Sequence, residues 1–133
     1  MGGRIMTIPH ILKYTDKVKG GSSKFCFIKI NPKFKDDVGL HKHELEHVKQ
    51  FWGGVLLSLP SFFIHPLLPL AGLLCFPLLY TFSRKFRLWS EVQAYKVQLK
   101  YNKDDVEYFV KYLVEDYDLK INHDQARHFL TSN

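Results

Sequence analysis

His43-Glu44-Leu45-Glu46-His47 is the stretch on which the reading of this chain turns. Residues four apart share one face of an α-helix, so His43 and His47 present both imidazoles to a single ion. Glu44, one position past the first histidine, lies beside them. From there it reaches a metal-bound water without being a ligand itself. Two nitrogen ligands, an open coordination position and a carboxylate base match a hydrolytic zinc centre. The flanking residues predict the helix this needs: Asp36 or Asp37 caps its start, Leu40, Val48 and Phe51 supply apolar spacing, and Gly53-Gly54 ends it. The motif has charged neighbours in Lys42 and Glu46. His41 with His43 is a second possible pair, although alternate residues diverge on a helix.

A catalytic zinc usually takes three side chains and a water, so a third ligand is needed. The metzincin solution, a histidine six residues past the second, fails because that position is Gly53. A glutamate from a later helix is the other solution, and Leu88-Trp89-Ser90-Glu91-Val92-Gln93-Ala94-Tyr95 offers Glu91 on a stretch with helical spacing at Leu88, Val92, Tyr95 and Leu99. In these two motifs, and in the order of elements over about 24–100, the chain resembles the gluzincin zinc metallopeptidases, especially their minimal single-domain members. The resemblance implies Zn²⁺ held by His43, His47 and Glu91, with Glu44 as general base. That family often carries an aspartate four residues past the ligand glutamate, orienting the first histidine; this chain departs from the pattern with Tyr95. Tyr95, or another tyrosine such as Tyr80, is the candidate to stabilise an oxyanion.

Upstream, residues 4–14 read as one or two short strands around Pro9, and Lys17 to Ser23 as a polar turn. Lys24-Phe25-Cys26-Phe27-Ile28-Lys29-Ile30 reads as a better strand, stopped by Asn31-Pro32. By the resemblance it is the edge strand that pairs with an extended peptide substrate.

Downstream, from Trp52 to Ser83, there is no Asp, Glu, Lys or Arg. Four prolines (Pro60, Pro66, Pro69 and Pro77) break this run. A single membrane span would carry Glu91 to the side opposite His43 and His47, where they could not share an ion. Basic residues at both flanks (Lys49; Arg84, Lys85 and Arg87) also place both ends on one side. Folded as a hairpin, the run gives arms of roughly 23 Å, short of a core about 30 Å thick. A shallow re-entrant or interfacial hairpin follows, or else a hairpin buried over the catalytic helix. His65, between Ile64 and Pro66, reads as a turn residue before a rival ligand. Ser90 and Gln93 stand at capping-box spacing in the glutamate helix, which runs to about Tyr101. Asp104 and Glu107 open a further helix with Val106, Phe109, Val110, Leu113 and Tyr117 on one face. A last helix over about Asn122–Leu130 buries Ala126, Phe129 and Leu130.

A chain of 133 residues suits one domain with a modest core. Its net charge of +6 is spread over scattered lysines without a groove-like cluster, so no nucleic-acid partner is expected. Cys26 and Cys75 form no metal-ligand pair, and nothing near Met1 reads as a cleavable signal peptide. The expected architecture is α+β and zincin-like, a single domain over 1–133. Its parts are a small N-terminal antiparallel sheet, the zinc helix, an apolar helical hairpin over 52–83, the glutamate helix and closing C-terminal helices. The expected activity is hydrolysis of a peptide or protein substrate, in the cytoplasm or at the cytoplasmic side of a membrane reached through 52–83. The competing reading is a small membrane-associated accessory protein, not an enzyme, whose histidine motif is structural or idle.

Overall fold

The computed structural model describes residues 8–132. The expected strand residues Arg4 to Thr7 therefore lie outside the described part. The fold is mixed α+β: a three-stranded sheet followed by helices. The strands are β1 (Ile11–Tyr14), β2 (Gly21–Lys24) and β3 (Phe27–Ile30), in the order β1-β3-β2. The sheet is not the antiparallel one expected. β2 pairs antiparallel with β3, but β1 runs parallel to β3, with Ile11 opposite Phe27 and Tyr14 opposite Ile30.

The stretch read as one strand from Lys24 to Ile30 is broken by a tight turn at Phe25-Cys26, where Phe25 takes a left-handed φ of 55°. That conformation is costly for a bulky residue. It is held because the Phe25 ring packs edge-on against Phe51, 5.7 Å between centroids. Consequently β3 is the centre of the sheet, not its edge. Ile28 and Ile30 alternate inward against Val48, while Phe27 and Lys29 point out. The sheet's edges are β1 and β2, the latter built from the glycine and serines that composition assigns to a turn. Pairing with β3 overrides their weak strand propensity.

Helix α1 (Val38–Ser58) starts where expected, with the Asp37 carboxylate accepting from the Leu40 N–H at 3.0 Å. It does not end at Gly53-Gly54. It runs on into the apolar stretch, where Gly54 lies at its contact with helix α2 (Gly72–Phe82) and Gly53 faces open space. The two helices approach so closely that a Cβ on Gly72 would fall 2.0 Å from Ser58 Oγ. Between them, Leu59–Phe63 and Leu68–Ala71 form short 3-10 turns. Helix α3 (Arg84–Leu99) begins a full two turns before Ser90, capped by Ser83, whose hydroxyl accepts from the Phe86 N–H at 3.2 Å. Ser90 is therefore inside the helix and free for another role. Helices α4 (Val106–Glu115) and α5 (His123–Thr131) close the chain, the latter with a complete Asn122–Gln125 capping box.

Two separate apolar clusters result. Ile28, Ile30 and Val48 form one between sheet and α1. Val92, Tyr95, Phe109, Val110, Leu113, Leu119, Ala126 and Leu130 form the other, among α3, α4 and α5. Helices α1 and α3 meet between them, and the ionisable residues of the motif lie at that seam.

Candidate metal centre

The two histidines and the distant glutamate come together. His43 and His47 sit one turn apart on α1, their rings 5.0 Å apart at 76°. Glu91 faces them from α3, its Oε2 lying 3.6 Å from His43 Nε2 and 3.4 Å from His47 Nε2. All three residues are buried, and their donor atoms lie within 4.8 Å of one another, a group that could hold a metal ion. Four donors about 2.0–2.1 Å from an ion at tetrahedral angles stand roughly 3.3–3.4 Å apart, close to the spacing seen here. Among the described residues Glu91 Oε2 has no hydrogen-bond partner, only the two imidazoles at 3.6 and 3.4 Å. A buried carboxylate oxygen without a donor is costly unless a cation meets it. The donor set and the geometry therefore fit a small divalent ion.

The surroundings orient these donors. Gln50 Oε1 accepts from the Ser90 hydroxyl at 2.6 Å and from the His47 Nδ1–H at 3.2 Å. With Nδ1–H held there, His47 presents Nε2 toward Glu91, as a proton donor to the carboxylate or, once deprotonated, as a ligand. Tyr80, from α2, donates to the other Glu91 oxygen, Oε1, at 2.5 Å. No such partner holds His43. Its Nδ1 is buried without a hydrogen bond, and the ring of Tyr95 packs edge-on against it, 4.4 Å between centroids. The chain thus departs from the gluzincin pattern physically as well as in sequence: ring packing stands where a carboxylate would orient the first histidine.

Glu44 is buried beside the group, and β2 crosses directly over it. A Cβ on Gly21 would lie 2.5 Å from Glu44 Oε1, so only glycine lets the strand pass. Burial pushes the Glu44 carboxyl up, the two histidines pull it back, and the Glu91 charge adds to the rise. Burial alone would likewise disfavour charged His47. The Glu91 carboxylate beside it outweighs that and lifts its pKa to about 9. Glu91 is the converse case. Burial opposes its charge, but His47 and His43 prevail and hold it well below the usual carboxylate range.

A pocket of ≈ 260 Å³ opens over these groups, lined by Gly21, Ser22 and Ser23 of β2, the two histidines, both glutamates, Phe76, Tyr80 and Tyr117. Tyr95 is not on this wall. Its hydroxyl pairs with that of Tyr117 at 2.7 Å, and Tyr117 reaches the pocket in its stead. A second pocket of ≈ 290 Å³ adjoins across Glu44, with Tyr95 and Gln98 among its walls. Arg87 ties the tyrosines in place, donating to the backbone carbonyls of Tyr80, Thr81 and Tyr117 at 2.8, 3.1 and 2.9 Å.

Other candidates stand apart. His41 is engaged by the Asp37 carbonyl and by Tyr14. His65 accepts from the Leu67 N–H in the exposed turn between α1 and α2. Tyr117 and Arg87 escaped the sequence reading as site residues, since neither carries a motif. The Gln50 and Ser90 supports were within reach of it, at three positions past His47 and one before Glu91. Comparison with protein-family models, curated proteins and solved structures finds no match to this chain, and the reading of the centre stands on its own geometry.

Proposed function

We propose that the chain is a zinc-dependent metallopeptidase of gluzincin type. The observation that carries this reading is the convergence of His43 Nε2, His47 Nε2 and Glu91 Oε2, buried, with a second carboxylate, Glu44, alongside. Bound there, zinc would polarise a carbonyl and bring the pKa of water toward neutrality. The remaining work falls to the protein's own groups. Glu44, its pKa raised by burial, takes the proton from the attacking water and returns it to the leaving nitrogen. Tyr117, its hydroxyl positioned by Tyr95, donates toward the developing oxyanion, so the role expected of Tyr95 is exercised through its neighbour. Both phenols are pushed far up by burial and remain donors at any working pH.

Substrate recognition falls to β2. Among the described residues its second edge has no partner strand, and Gly21, Ser22 and Ser23 line the metal pocket. An extended peptide added there would run past Glu44 and gain affinity from main-chain hydrogen bonds.

The test is metal analysis of the purified chain together with hydrolysis of a mixed peptide library. His47→Ala should lose zinc. Glu44→Gln should keep zinc and lose hydrolysis by about 10²–10⁴-fold, the usual worth of a general base. Protein that binds no zinc, or a Glu44→Gln variant as active as the parent, defeats the proposal.

A further inference from the structure

The apolar run from Trp52 to Ser83 is not buried. Leu57 is 85% exposed, Phe63 92%, Ile64 82% and Phe82 82%, and Leu56, Leu67 and Leu70 are also largely open. Exposed apolar ground this extensive marks a surface that is covered in use.

Three features identify what covers it. First, the patch contains no Asp, Glu, Lys or Arg, yet its C-terminal border is basic: Arg84 and Lys85 lie exposed just after it, while Lys49, on α1 just before it, is paired with Glu46 at 3.6 Å. Arg87 is excluded from this border because its guanidinium is spent on backbone carbonyls. Trp52 stands at the start of the patch and the half-exposed Trp89 just beyond its end. An apolar zone whose ends carry exposed cations and indoles matches the residue types that settle at the headgroup level between hydrocarbon and water. Second, Phe63, the most exposed of these side chains, and Ile64 lie in the turn between α1 and α2, which suits insertion into a fluid phase. Third, no helix among the described residues is long and apolar enough to cross a membrane. Helix α2, with 11 residues, extends only roughly 16 Å.

We propose that this face docks the protein on an anionic lipid bilayer from one side, with residues 59–71 inserted at the headgroup–acyl boundary and Arg84 and Lys85 among the phosphates. Docking also fixes where the metal pocket lies. Phe76 and Tyr80 form part of its wall, while Leu74, Leu78 and Phe82, displaced by two positions and so by about 200° around α2, point outward. One helix thickness separates the pocket from lipid, which makes membrane-proximal peptide segments the accessible substrate class. The docking itself is independent of the metal reading.

Flotation of the full chain with vesicles tests it, using phosphatidylcholine alone and phosphatidylcholine with roughly a quarter phosphatidylglycerol. The chain should float with the anionic vesicles, less so at high salt. The triple substitution Phe62→Ser, Phe63→Ser, Ile64→Ser should weaken flotation at least about tenfold with an unchanged circular dichroism spectrum, the three side chains being exposed. Arg84→Glu with Lys85→Glu should lower binding to anionic vesicles selectively. Protein that stays with neither vesicle overturns the proposal. So does a stable dimer abolished by the triple substitution, which would assign the face to a second copy. Equal flotation with both vesicle types overturns the anionic headgroup contact. None of these readouts depends on zinc or on hydrolysis, so failure here and failure of the peptidase reading are told apart.

Discussion

Gly21 is where the strand that would present a substrate meets the carboxylate that would activate water. Because a Cβ there would sit 2.5 Å from Glu44 Oε1 and 3.0 Å from Glu44 Cδ, Gly21→Ala must displace either β2 or Glu44. Misplacing a reacting group by about 1 Å costs roughly 10²-fold. The substitution should therefore depress peptide hydrolysis by that order while zinc content holds. An unimpaired Gly21→Ala enzyme would mean that Glu44 is not the base, or does not work from this position. His47 carries a second consequence at the same scale. A pKa near 9 means the free imidazole holds a proton at neutral pH, which the metal must displace. Zinc affinity should thus climb by up to about tenfold per pH unit between pH 6.5 and 8.5. Competition with a chromogenic chelator at several pH values measures this, and a flat profile refutes it. Without metal the sign reverses for stability. His47 is raised above its ordinary value of 6.5, so its contribution is complete below that value and fades as pH rises through about 9. Glu91 is held below its ordinary 4.5, so its contribution is present above that value and fades on acidification. Chelated protein should be less stable at pH 9.5 than at pH 6.5, as urea melts would show.

Among the elements, α3 does more than deliver Glu91. Through Arg87 it holds the end of α2 and the segment after α4, the two places that supply Tyr80 and Tyr117. Arg87→Ala should cost about 1.5–3 kcal/mol in urea denaturation, the scale for losing hydrogen bonds from a charged donor. Arg87→Lys should recover little, since one ammonium cannot reproduce a planar fork. Stability equal to the parent in either variant would show the fork to be dispensable. The sequence disclosed the elements unevenly. Histidines and a glutamate speak through spacing, so the pairing of α1 with the Glu91 helix, and the cap at Asp37, are legible. Gly53-Gly54 reads as a stop because glycine weakens helices in isolation; the actual use of Gly54, close approach of α2, depends on a partner that periodicity does not contain. The parallel β1–β3 pairing was hidden for the same reason: strand direction follows from connections, not from composition. β2 was invisible because Gly21-Ser22-Ser23 are strand residues only by virtue of their neighbour. Ser90 was taken for a cap on its spacing to Gln93, while Ser83, two turns earlier, does the capping.

At the level of the whole molecule, the centre lies between two apolar clusters that share no buried residue, one under the sheet and one among the C-terminal helices. Its histidines attract its carboxylates, the two carboxylates repel each other, and burial opposes the charge on each of Glu44, His47 and Glu91. An ion binding only the folded form adds about 2.7 kcal/mol at a hundredfold excess over its Kd. Saturating zinc should therefore raise the melting temperature by several degrees, and a chelator should reverse the gain. The same arrangement bears on cooperativity. Each cluster supplies one jaw of the site, α1 from the sheet side and α3 from the helical side, so a ligand gripping both couples their unfolding. With the ion bound, the two halves should melt in a single calorimetric transition. With it stripped, the sheet side, which has the smaller cluster, should release first, and amides of β2 and β3 should exchange with solvent ahead of those in α4. The ion would then act as a latch between two folding units as well as a participant in chemistry, and loss of zinc would disable the edge strand before the rest of the fold gave way.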